Sequence, residues 1–234
     1  MTTEILLHDS ADQLVEQVAG TLLDTLAAQQ ASGRAPQLCM TGGRVANRIY
    51  ARVAELAPDH ALDWSNLDLW WGDERFVPTD DPDRNVGQAL ATLAGRLQLS
   101  PSRIHSMPAA DGPADLDAAA RTYADDLGTT VFDICLLGMG PDGHVASLFP
   151  YHPSSEPTSR SVIPVRNSPK PPPERLSLTL PVLNASTEVW LLVTGADKAE
   201  AVARAHRGED IPAAKVHGTA RTRWFLDAEA AADL

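Results

Sequence analysis

The sequence predicts an α/β protein: a single-domain, mainly parallel Rossmann-like sheet with helices on both faces, spanning residues 1–234. Three observations predict it. Short apolar runs alternate with longer amphipathic ones along the whole chain. Two of the short runs, 131–138 and 188–195, are apolar on both faces, as central parallel strands are. Four turns rich in glycine and charge each follow directly on a predicted strand, which is where open α/β sheets bind ligands.

The elements follow in order. "EILLH" (4–8) reads as a strand, and Asp9 or Ser10 caps the next helix, where Leu14, Val15, Val18, Leu22 and Leu23 recur at helical spacing. "QLCMT" (37–41) is a second strand, broken by Gly42-Gly43. "LDLWWGDE" (67–74) holds a third and "VFDICLLG" (131–138) a fourth. "SVIPV" (161–165) is a short strand interrupted by Pro164. "EVWLLVTG" (188–195) is another buried strand, followed by an Ala-rich helix over 198–206. "RTRWFLD" (221–227) and "AEAAADL" (228–234) read as a last strand and a terminal helix. The segment 151–174 contains seven prolines and reads as a long functional loop within the domain.

Composition narrows the function classes. The balance of 19 basic against 31 acidic residues gives a net charge of −12. A negative surface repels nucleic acid and anionic membrane, so neither is an expected partner. An anionic substrate must then be held by a few local Arg or Lys side chains. No run approaches the roughly 18 apolar residues of a membrane span, and the first residues lack the basic start of a signal peptide. Cys39 and Cys135 lie in apolar strands and read as buried thiols, so the expected compartment is the cytoplasm. Nothing in the pattern specifies an oligomeric state.

The candidate site is the set of turns 41–44, 72–75, 138–144 and 195–198. Gly138, Gly140 and Gly143 have dinucleotide-binding spacing, but Asp142 would put a carboxylate where the pyrophosphate lies, and no acid follows about 20 residues on. The catalytic reading makes His144, at the mouth of a helix whose positive end disfavours its protonation, a general base. On the bland reading, Asp142 and His144 only cap and pack. Asp73, Glu74 and Arg75 form either a functional cluster or a solvated one. Gly42 and Gly43 offer free N–H groups for a phosphate, or form a plain turn. Lys198 stands at a helix start, an unfavourable place for a cation unless an anion binds there. No Cys/His cluster has zinc spacing, and no serine sits in a nucleophile elbow.

Taken together, these segments resemble the 6-phosphogluconolactonases. "GDERFVPTDDPDRNVGQA", "LLGMGPDGHVASLFP", "KPPPERLSLTLPVLNAS" and "TGADKAEAV" follow that family's motifs in order along nearly the whole chain. The rival within the same fold is the glucosamine-6-phosphate deaminases, whose corresponding turn typically carries a glutamate where this chain has Phe149, and Glu-Tyr where it has Glu74-Arg75. The first loop departs from the SGGSTP pattern of both groups: both glycines match, while Arg44 and Ala46 stand at the hydroxyl and proline positions. A second departure is Arg84 before the matching Asn85.

The resemblance implies hydrolysis of 6-phospho-D-glucono-1,5-lactone in the oxidative pentose phosphate pathway, without cofactor or metal. The partner is a small phosphorylated sugar lactone. His144 is then the base. Asp142 and Asp73 bind sugar hydroxyls or orient the imidazole, and Arg75 steadies negative charge or holds the loops. Gly140 and Gly143 offer oxyanion donors, and Gly42, Gly43, Arg44, Arg175 and Lys198 hold the phosphate.

Overall fold

A computed structural model describes residues 2–234. Among them, six parallel strands form the main sheet in the order β1-β9-β8-β5-β2-β3. These are β1 (Thr2–His8), β2 (Gln37–Met40), β3 (Asp68–Trp71), β5 (Ile134–Gly138), β8 (Glu188–Val193) and β9 (Arg221–Asp227). The remaining three, β4 (Asp73–Arg75), β6 (Val162–Val165) and β7 (Arg175–Leu178), form a small antiparallel sheet in the order β4-β7-β6.

Side-chain alternation explains why the main sheet is covered on both sides. In β5, Ile134 and Leu136 face one layer while Cys135 and Leu137 face the other, and all four are fully buried. The first layer is closed by α1 (Ala11–Ala31), α2 (Arg44–Leu56) and α3 (Asn85–Leu93). The second is closed by α4 (Leu116–Leu127), α6 (Ala199–His206) and the small sheet itself. Two further short helices, α5 (Leu180–Ala185) and α7 (Pro212–Lys215), complete the set. The mainly parallel α/β expectation is thus met, with a second sheet added.

Local signals account for the boundaries. Ser10 caps α1 by accepting from the Gln13 N–H at 3.2 Å, while Gln13 reaches back to the Asp9 N–H at 2.6 Å. The predicted strand 67–74 is in fact two. Gly72 ends the ladder of β3, and Asp73–Arg75 leaves to pair antiparallel with β7 in the second sheet. Pro164 sits inside β6, where the small sheet has an edge and no further partner needs its missing N–H.

Two expectations fail. Residues 228–234 form turns instead of a helix. Asp227 accepts from the N–H groups of both Ala230 and Gly195, which bends the chain into a turn directly after β9. Nor does a helix follow the glycine turn at 138–144: residues 141–150 are turns and isolated bridges.

The order of strands places the site. From β2 the chain steps to β3 on one side, and from β5 it steps to β8 on the other, so the crevice between the carboxyl ends of β2 and β5 is a topological switch point. The loops after these two strands touch there, with the Gly138 N–H donating to Thr41 Oγ1 at 3.3 Å.

Candidate active site

A cleft of about 230 Å³ opens at this switch point. Its walls come from the loops after β2, β5 and β8, from β4 and β7 of the small sheet, and from the proline-rich segment.

The loop after β5 is a tight hairpin. The Gly143 N–H donates to the Gly140 carbonyl at 2.9 Å, and the Gly140 N–H donates to the His144 carbonyl at 2.9 Å. Pro141 and Asp142 are the central turn residues, and Gly143 follows at φ +86°, a conformation glycine adopts without strain. The sequence Gly-Pro-Asp-Gly is a turn signal in its own right, and it outweighs the helix expectation. With no helix there, no helix dipole acts on His144.

The hairpin holds a histidine–carboxylate pair. His144 Nδ1 lies 2.5 Å from Asp142 Oδ1. Partial burial pushes the Asp142 carboxyl up, but the hydrogen bond and charge of His144 outweigh it and hold the acid well below the usual carboxylate range; Lys170 adds a smaller pull in the same direction. An ionised carboxylate only accepts, so Nδ1 carries the proton, and whenever the ring is neutral Nε2 keeps its lone pair. Nε2 makes no hydrogen bond among the described residues, and His144 lines the cleft. The ring rests on the fully buried Phe149 at 4.7 Å between centroids. Its other support is bare backbone: a Cβ on Gly140 would stand 2.0 Å from the imidazole.

The hairpin glycines therefore do not act as expected. The N–H groups of Gly140 and Gly143 are consumed inside the turn, and that of His144 faces Asp142 Oδ1 at 3.3 Å, so these three are not free for an oxyanion. Gly143 is buried against Ile211 and does not line the cleft. Asp142 stands behind His144, where it orients the ring, and does not itself line the cleft.

The cluster at 72–75 divides its labour. Glu74 is 1% exposed and accepts from the N–H groups of Asn85 at 2.7 Å and Val86 at 2.9 Å, so it caps α3. Burial raises its carboxyl above the ordinary value, against the pull of these N–H groups and Arg84. Asp73 faces the cleft and accepts from the Ser147 hydroxyl at 2.7 Å. Arg75 donates through Nη1 to the Asp83 carbonyl at 2.6 Å and to Asn85 Oδ1 at 2.8 Å. Asn85 also donates to the Asp73 carbonyl at 2.9 Å and presses on Gly42, where a Cβ would fall 1.8 Å from its Oδ1.

Cations gather on the facing wall. Arg75 and Arg175 are cross-strand partners on β4 and β7, a like-charge pairing that an anion would relieve. Arg175 is 5% exposed and largely committed: Nε donates to the Pro172 carbonyl at 3.2 Å, and Nη2 to those of Lys170 at 3.2 Å and Pro171 at 2.9 Å. It clasps the proline-rich loop, and only Nη1 faces inward, 3.5 Å from Ser147 Oγ. Lys198 ends a 3-10 turn, Ala196–Lys198, just before α6, and pairs with Asp197 at 3.1 Å. Gly42, Gly43 and Arg44 open α2, whose first backbone acceptor bond begins only at the Asn47 N–H, leaving the N–H groups of Arg44, Val45 and Ala46 free. Gly43 has φ +105°, as a strand-to-helix turn this tight requires. Gly42, Gly43, Arg44, Arg175 and Lys198 all line the same cleft as His144.

Sequence reasoning missed Lys170, Asn85 and Ser147. Lys170 and Asn85 line the cleft, while Ser147 lies buried behind Asp73. The motif strings contained all three, but only folding shows that a loop between two strands of the small sheet returns to the dyad.

A parallel sheet with a histidine–carboxylate hairpin at its switch point and cations around one cleft is the architecture of a known group. The family described as glucosamine-6-phosphate isomerases/6-phosphogluconolactonase matches residues 9–224, and the chain belongs to it. A 6-phosphogluconolactonase of Streptomyces coelicolor is 47% identical, over 100% of this chain and 95% of that protein. One of Mycobacterium tuberculosis is 41% identical, over 100% of this chain and 99% of that protein. The crystal structure of 6-phosphogluconolactonase from Thermotoga maritima superposes with a TM-score of 0.85 at 26% identity, covering 97% of this chain and 100% of that one.

Proposed function

We propose that this chain hydrolyses 6-phospho-D-glucono-1,5-lactone to 6-phosphogluconate, a step of the oxidative pentose phosphate pathway, with His144 as the general base. Full-length relatives named 6-phosphogluconolactonase support the reaction. The observation that carries the reading is the 2.5 Å Asp142–His144 contact facing a cationic wall across one small cleft.

In this scheme a water oxygen bonds to C1 of the lactone and its proton passes to His144 Nε2. The carbonyl electron pair moves onto oxygen. When it returns, the bond from C1 to the ring oxygen breaks, and the ring oxygen takes the proton back from His144. Asp142 keeps the proton on Nδ1 throughout and offsets the charge of the transient imidazolium. The backbone N–H groups opening α2, with Arg44 and Lys198, hold the phosphate, each charge-assisted contact contributing ~1.5–3 kcal/mol. Arg175 serves this wall chiefly by holding its loop. The deaminase alternative lacks support, because Phe149 is an apolar, fully buried ring against His144 and supplies no second carboxylate. No helix among the described residues is long and apolar enough to cross a membrane. The free, buried Cys39 and Cys135, neighbours in register on β2 and β5, fit a reducing compartment such as the cytoplasm.

The test compares three substrates side by side. Two phosphate contacts of this strength correspond to a preference for the phosphorylated lactone over gluconolactone on the order of 10²-fold or more in kcat/KM. Glucosamine 6-phosphate should yield no ammonia. Equal kcat/KM for the two lactones, or ammonia release, contradicts the reading.

A further inference from the structure

The hairpin that carries the catalytic pair leaves a gap in the chemistry. The N–H groups of Gly140, Gly143 and His144 are bonded internally, so the charge that develops on the lactone carbonyl oxygen calls for a donor beyond these three. Five cationic side chains line the cleft, and three have at least one donor committed. Arg75 Nη1 holds Asp83 and Asn85 while its buried Nε has no partner, Arg175 holds the proline loop, and Lys198 pairs with Asp197. Arg44 and Lys170 have no hydrogen bond or carboxylate partner among the described residues. Arg44 is exposed at the mouth of α2, on the phosphate side. Lys170 is half-buried, and the strongest charge acting on it is that of Asp142, ahead of those of Lys198 and Arg175.

The backbone that presents Lys170 is fixed. Its carbonyl is held by Arg175 Nη2, its N–H donates to Ser168 Oγ at 3.3 Å, and the Ser168 N–H donates to the Pro173 carbonyl at 3.0 Å. Three consecutive prolines, 171–173, remove most of the remaining freedom. A donor held this way needs little reorganisation when charge appears beside it.

We propose that Lys170, presented by the arginine-clasped proline loop, is the cation that stabilises the oxyanion formed when water attacks the lactone carbonyl. The assignment rests on the lactonase reading. It adds a catalytic residue distinct from the phosphate contacts: the carbonyl electron pair moves onto oxygen opposite the ammonium and returns as the ring oxygen leaves, with no proton taken from Lys170.

Burial lowers the proton affinity of Lys170, and Lys198 and Arg175 lower it further, while Asp142 and Asp197 oppose them. The net direction is down, so the ammonium is lost at a lower pH than for a free lysine. Activity that depends on it is present below that point and falls as pH rises through it.

The experiment measures kcat, KM and the inhibition constant of 6-phosphogluconate for wild type, Lys170→Gln, Lys170→Arg and, as a surface-charge control, Lys215→Gln, all corrected for enzyme-free opening. Lys170→Gln should lower kcat by about 10²-fold, the loss typical of one oxyanion donor, with KM and product inhibition nearly unchanged. Lys170→Arg should retain most of kcat and lose the alkaline decline of the wild type. Lys215→Gln should behave as wild type. A wild-type kcat in Lys170→Gln, or a rise in KM and inhibition constant without loss of kcat, overturns the assignment and leaves the lactonase reading standing. Absence of wild-type turnover above the enzyme-free rate overturns both.

Discussion

Gly140 shows most directly how one residue sets the chemistry. The imidazole of His144 lies where a side chain at 140 would be, so the absence of a Cβ lets the ring reach Asp142 Oδ1 at 2.5 Å. In Gly140→Ala, the methyl group would fall 2.0 Å from His144 Cε1 and Nδ1, and the ring must move. A displacement near 1 Å costs on the order of 10²-fold in rate. Gly140→Ala should therefore lose about that factor in kcat while binding 6-phosphogluconate nearly as wild type. A kcat equal to wild type would mean that the ring position is not set here. His144 and Asp142 were readable as a pair from the sequence, because few residue types combine proton transfer with orientation. Whether Asp142 binds sugar hydroxyls or orients the ring was not, since its placement behind the ring depends on a hairpin that glycine spacing alone does not reveal.

At the scale of elements, the small sheet connects the site to the rest of the fold. β4 puts Asp73 and Arg75 at the cleft and turns Glu74 inward, where it caps α3 through the N–H groups of Asn85 and Val86. Glu74→Gln leaves one good acceptor where two oxygens served, and should destabilise the protein by about 1–3 kcal/mol, read as a lower urea midpoint. The pH response has a definite sign. A carboxyl raised in the folded state binds its proton more tightly there than in the unfolded chain, so wild-type stability falls as pH rises from the ordinary carboxylate value through the raised one. Glu74→Gln should lack that portion of the slope. An unchanged midpoint at neutral pH would show that the cap contributes nothing. The parallel strands were legible because full burial leaves continuous apolar runs. The break at Gly72 was not, because a strand that changes sheets keeps the same local pattern. Nor was the absence of a helix at 228–234, since its alanine-rich propensity is outweighed by the turn in which Asp227 accepts from the Ala230 N–H.

Across the whole molecule, two walls with different tasks share one cleft. The dyad hangs from the central strand β5, whereas the groups proposed to hold the phosphate come from α2 and the start of α6, and the proline loop is clasped by Arg175 from β7. An acidic chain of net charge −12 thereby concentrates positive charge where an anion must enter. Because the walls are built from separate elements, chemistry and phosphate binding should be separable by mutation. The most direct test is His144→Asn, which keeps a polar side chain and removes the base. With the spontaneous opening of the lactone subtracted, kcat should fall by ~10²–10⁴-fold while the inhibition constant of 6-phosphogluconate and the thermal unfolding temperature stay close to wild type. If His144→Asn retains more than about a tenth of the wild-type kcat, well above the residue expected after loss of a base, His144 is not the general base.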